Sequence, residues 1–90
     1  PCYEAVKRAV EKDGLMIRNY QYIYPQLRRT AINSNPFAVK ALYNPTVEEY
    51  ILAAQKNRNV LMFIKNPQIK NQVINGLNVR QIEHVEELER

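Results

Sequence analysis

The clearest alternation of apolar and polar positions lies in the middle of the chain. Val47, Tyr50, Ile51 and Ala54 recur at i, i+3, i+4 and i+7, one face of an α-helix. Pro45 is expected in its first turn, where the missing N–H has no helical partner to lose, and Asn44 can cap it. Lys56-Asn57-Arg58-Asn59 breaks the pattern with residues that tolerate a tight joint. Val60, Leu61, Phe63 and Ile64 then form a second, shorter apolar helix. It closes at Lys65-Asn66-Pro67, because the residue before proline avoids helical backbone. The same grammar predicts helices over 3–12, stopped by Asp13-Gly14, and over 15–23, 25–32 and 36–43. It predicts two more over 68–74, ended by Asn75-Gly76, and over 79–88, where Val79, Ile82, Val85 and Leu88 make one narrow stripe. Residues 21–24 and 59–64 would also suit strands, but the proline positions favour helices throughout.

Sliding the chain by 22 positions superposes these patterns. Asn44-Pro45 falls on Asn66-Pro67, and Ala9-Val10 on Ala31-Ile32 and Ala53-Ala54. Asp13, Asn35 and Asn57 share a column, as do Ile17, Val39 and Leu61. Tyr24-Pro25 takes the Asn-Pro place one unit earlier but only 20 positions away, so that unit is shortened. The expected fold class is therefore all-α: one domain over 1–90, with units of about 3–23, 24–44, 45–66 and 67–90. Each unit is a short antiparallel helix pair, and the pairs stack as a right-handed, solenoid-like helical repeat closed by an acidic capping helix. A unit this small cannot cover its own apolar face, so stacking is what creates a core.

The stretch from Tyr43 to Asn57, Y-N-P-T-V-E-E-Y-I-L-A-A-Q-K-N, resembles one unit of a family of short two-helix repeats found in bacterial and bacteriophage proteins. Their pattern is of the type N-P-[ST]-x-E-x-x-x-x-A-[AV]-x-x-N. The resemblance spans about residues 4–75 and is strongest over 43–67. It departs at Pro67-Gln68-Ile69-Lys70, which lacks the acidic residue, and at Asn75-Gly76, which replaces the alanine pair. It implies a helical-repeat fold and no particular activity.

Charge distribution changes the picture more than its total. The chain of 90 residues carries 13 Lys and Arg against 9 Asp and Glu, a net charge of +4. No acid occurs between Asp13 and Glu48, or between Glu49 and Glu83, whereas 81–90 holds four glutamates. Stacked repeats align equivalent positions, so Arg18, Lys40 and Met62 are expected in one exposed row, and Lys12, Ser34 and Lys56 in another. Tyr20, Tyr22 and Tyr24, followed by Arg28-Arg29, form the densest aromatic segment, a composition suited to partner binding or to stacking on bases. The candidate partner-binding residues are thus Tyr20, Tyr22, Tyr24, Arg28, Arg29, Arg18 and Lys40.

Chemistry for catalysis is sparse. There are two glycines and no phosphate-binding loop, one cysteine (Cys2) and hence no internal disulfide, and one histidine, His84, beside Arg80, Glu83 and Glu87. Glu48 and Glu49 are expected on an exposed first helical turn, complementing its dipole. Pro1 has the small size left by initiator removal, which points to a complete mature chain; its free amine lacks partners to tune it. No run approaches a membrane span, so a cytoplasmic protein is expected, that of the host cell if viral. These features predict a non-enzymatic, cofactor-free protein-binding module. The family's phage members narrow this to an inhibitor of a host defence or nucleic-acid-processing factor. RNA or DNA binding is the alternative, and a homo-oligomeric assembly role comes third.

Overall fold

The computed structural model describes residues 2–89, with side chains described over 2–79. It is helical throughout, with no strand among the described residues, so 21–24 and 59–64 are not strands. In chain order come α1 (Tyr3–Lys12), the 3-10 helix η1 (Gly14–Met16), α2 (Ile17–Tyr20), η2 (Pro25–Leu27), α3 (Arg28–Ser34), η3 (Pro36–Ala41), α4 (Val47–Lys56), η4 (Arg58–Phe63) and α5 (Pro67–Glu89). The second element of each of the first three units is therefore partly or wholly 3-10 rather than α. Three-residue 3-10 turns such as η1 and η2 are common, whereas the six-residue runs of η3 and η4 are long for the type.

The joints repeat. Asp13, Asn35 and Asn57 have near-identical extended backbone, φ/ψ of −142/98, −151/111 and −155/109°. Each closes the preceding helix with its own N–H on the carbonyl of Ala9, Ala31 or Ala53, at 2.9–3.0 Å. Each side-chain oxygen then accepts the N–H two residues on, from Leu15, Phe37 or Asn59, at 3.0–3.1 Å. One residue thus ends an α-helix and starts a 3-10 helix, which explains why only Asp or Asn fills that column.

The two Asn-Pro pairs behave differently. Asn66 caps α5 as expected, accepting from Gln68 N–H at 2.9 Å with Pro67 as the first helical residue. Asn44, however, is not a cap: it turns the chain in the left-handed region, at φ 48°. The cap of α4 is Thr46, in a reciprocal capping box with Glu49.

Packing follows chain order. α1 lies on α3, α3 on α4 and α4 on α5, while η1 meets η3 and η3 meets η4. Val6, Val10, Ile17, Leu27, Ile32, Val39 and Val60 fill the main core, and Ile51, Ala54, Ile64, Val73 and Leu77 a second one. Helix α4 belongs to both: Ala53 faces the first and Ile51 and Ala54 the second. Small residues at adjacent positions let helices come close on two sides.

Helix α5 corrects the expected boundary at Asn75-Gly76. It runs unbroken from Pro67 to Glu89, so the last unit is one long helix rather than a pair. Gly76 serves as a contact: a Cβ there would stand 2.5 Å from Ile51 Cδ1. Gly14 has the same function against α3, where a Cβ would meet the Ala31 carbonyl oxygen at 2.4 Å. The side chains of Arg80, Glu83, His84, Glu86, Glu87 and Glu89, and with them the acidic outer face expected of a capping helix, lie outside the described residues, as does Pro1. No described helix is long and apolar enough to cross a membrane.

Candidate functional site

The turn after α2 and the segment after η3 lie side by side and are tied together by polar side chains. Gln21, which lies between Tyr20 and Tyr22, is buried, with 6% of its surface exposed. Its Nε2 donates to the Ala41 carbonyl at 3.0 Å, and its Oε1 accepts the Tyr43 N–H at 2.6 Å. Arg28 completes the grip, its Nη2 donating to the Tyr43 carbonyl at 3.2 Å. Both backbone polar groups of Tyr43 are thus held by side chains, Gln21 from the preceding unit and Arg28 from its own.

Arg28 is itself anchored. Its Nε and Nη2 reach Glu49 Oε2 and Oε1, both at 2.7 Å, a two-pronged ion pair between α3 and α4. Glu49 also accepts the Thr46 N–H at 2.9 Å, so a single carboxylate caps α4 and receives α3. Burial pushes that carboxyl up, but the Arg28 guanidinium and the Thr46 N–H outweigh it and hold it below the usual carboxylate range. Hydrogen bonding to Glu49 raises the Arg28 pKa in turn. Burial, and then the Glu49 charge, push the Tyr50 phenol up.

These contacts change the roles expected from the sequence. Arg28, expected to face a partner, is engaged within the fold. Glu49, expected on an exposed turn, is 8% exposed, whereas Glu48 is exposed. Tyr20 and Tyr24 are half-buried against the main core, Tyr24 edge-on to Tyr3 at 5.3 Å between centroids. Tyr22 alone of the three tyrosines points outward, at 73% exposure, and its ring meets that of Tyr43 at 6.1 Å. Ile23 on the same turn is 61% exposed and Tyr43 67%. The outward corner is therefore Tyr22, Ile23 and Tyr43, of which sequence reasoning found one. A signal for the rest exists: Gln21–Tyr43 and Arg28–Glu49 are 22 and 21 positions apart, about one repeat, where contacts between units are expected.

Arg18, Arg29 and Lys40 are each exposed, as is Met62. Lys12, Ser34 and Lys56 are exposed as well. Lys40 Nζ lies 5.5 Å from the centroid of the Phe63 ring, which is packed edge-on against Phe37. Beside these rings is an open cleft of about 340 Å³. Val39, Leu42, Tyr50 and Phe63 form its apolar part, with exposed Lys40, Met62 and Lys65 around it. Against this geometry, no protein-family model, no curated protein and no solved structure matches the chain.

Proposed function

We propose that the protein is a non-enzymatic protein-binding module, built as a small right-handed stack of three two-helix units closed by one long helix, and that its partner docks on the corner formed by Tyr22, Ile23 and Tyr43. Three observations support the stack: the joints repeat at 22-residue intervals, successive helices pack in chain order, and contacts between units fall about one repeat apart. The observation that carries the binding role is the outward display of the two tyrosines beside a backbone held by polar side chains. Gln21 and Arg28 fix both backbone polar groups of Tyr43, and yet its ring and that of Tyr22 stay in water. Tyrosine has few rotatable bonds to freeze on binding, and an exposed pair gives the large amphipathic contact typical of interface hot spots.

Affinity purification with quantitative mass spectrometry tests this, comparing the wild type with a Tyr22→Ser/Tyr43→Ser variant. The expected result is a protein captured by the wild type and lost by the variant, with thermal stability changed by less than about 1 kcal/mol, the scale of one aromatic pair. Equal capture by both would refute the assignment of the corner.

A second reading is favoured by one feature: Arg18, Arg29 and Lys40, in a chain stretch without acids, share the molecule with an exposed tyrosine pair. That is a composition for single-stranded RNA or DNA. Gel shifts at low and high salt separate the readings, since phosphate binding weakens steeply with salt.

A further inference from the structure

The cleft beside η3 and η4 is a second surface, separate from the tyrosine corner. Its lining includes the half-buried rings of Tyr50 and Phe63 with the buried Val39 and Leu42, and the exposed side chains around it are two lysines, Lys40 and Lys65, and Met62, at 72% exposure. An occupant that fits must bring apolar side chains flanked by carboxylates.

The chain contains such a segment. Residues 81–90 place Ile82, Val85 and Leu88 at intervals of three among Glu83, Glu86, Glu87 and Glu89. The backbone of α5 is helical to Glu89, and intervals of three put those apolar positions on one stripe. The same helix keeps the segment from its own cleft. Lys65 lies just before α5, which starts at Pro67. Ile82 is 15 residues further along, about 22 Å at the rise of an α-helix. Continuous helical backbone over that length carries Ile82 away from Lys65, so the segment that reaches the cleft is another molecule's.

We propose that the lysine-flanked cleft of one copy takes the acidic segment 81–90 of a second copy, joining copies head to tail. The surfaces that meet are different, so each added copy leaves one cleft and one segment open, and the assembly grows past a dimer as concentration rises. Lys40 and Lys65 are exposed, which makes the association weak and sensitive to salt.

Sedimentation velocity on the full chain tests it, from about 5 to about 500 μM at low and high salt, a range chosen to bracket weak affinity. The wild type is expected to gain mass with concentration and to lose that gain at high salt. Lys40→Glu/Lys65→Glu reverses the cleft and Glu83→Lys/Glu87→Lys reverses the segment. Each alone is expected to weaken association at least about tenfold through like-charge contacts. An equimolar mixture of the two recovers it, because each cleft then meets a segment of opposite sign. Circular dichroism of each variant checks that the helices persist. A wild type that stays monomeric, variants that associate as it does, or a mixture of folded variants that stays monomeric would each overturn the proposal.

Discussion

Replacing Arg28 with alanine tests the central polar contact of the fold. The guanidinium makes both hydrogen bonds of the ion pair with Glu49 and one to the Tyr43 carbonyl. Its loss leaves a carboxylate inside the protein without a cation. Breaking a fully buried pair costs about 3–5 kcal/mol. Here the side chains of Arg28 and Glu49 remain 20% and 9% exposed, so water recovers part of that solvation. About 2–3 kcal/mol is the expected loss at neutral pH. That is a large share of the roughly 5–13 kcal/mol a domain of this size has, and it should lower the urea midpoint by about 2 M. The pH dependence supplies the sharper test. In the wild type the Glu49 carboxyl is held below its unfolded value. Its contribution is complete above the unfolded pKa and lost as pH falls through the native one. In Arg28→Ala the cation is gone and burial dominates, so the carboxyl rises and protonation relieves the variant as pH falls. The gap between the two proteins should therefore narrow from about pH 7 to about pH 3. Urea titrations followed by far-UV circular dichroism at both pH values measure it. A cost under about 0.5 kcal/mol at neutral pH, the scale of an exposed pair, or a gap that does not move with pH would refute the reasoning.

Other perturbations separate local from tertiary causes. Gly14→Ala drives a methyl against the backbone carbonyl of Ala31 and should cost about 2–3 kcal/mol, whereas Gly76→Ala meets only the end of the Ile51 side chain and gains helix propensity, leaving stability within about 1 kcal/mol of wild type by thermal melts. Asn35→Ala and Asn57→Ala should each cost about 1 kcal/mol in denaturant titrations, and by equal amounts within about 0.5 kcal/mol, since the two joints share one geometry. Gln21→Leu leaves the Ala41 carbonyl and Tyr43 N–H without their partners and should cost about 2 kcal/mol; hydrogen exchange should show the Tyr43 amide losing protection before the rest of the fold.

The candidate site was legible only where its chemistry is local. Tyr22 stood out because three tyrosines alternate in five residues, but alternation does not say which of them faces out. In a turn that runs into η2, Tyr20 and Tyr24 contact the core and Tyr22 does not. Arg28 looked like a surface cation because it is paired with Arg29 just after the tyrosine run, and Glu49 looked like a helix-dipole carboxylate because it sits in a first turn. Each proved to be the other's partner, across a separation of 21 residues. Asn75-Gly76 read as a helix stop for the same reason: Asn and Gly end helices when nothing else holds them, but here Gly76 is held against Ile51.

The sequence by itself determined the all-helical character, the near-22-residue spacing and the joints at Asp13, Asn35 and Asn57. A capping side chain reaches only an N–H two or three residues away, so its effect is written in neighbouring letters. The tertiary structure decided which polar residues are buried, why α5 runs on past Gly76 and which aromatic rings remain in water. Those outcomes depend on what the neighbouring unit places opposite each side chain, and that is settled only when the units pack.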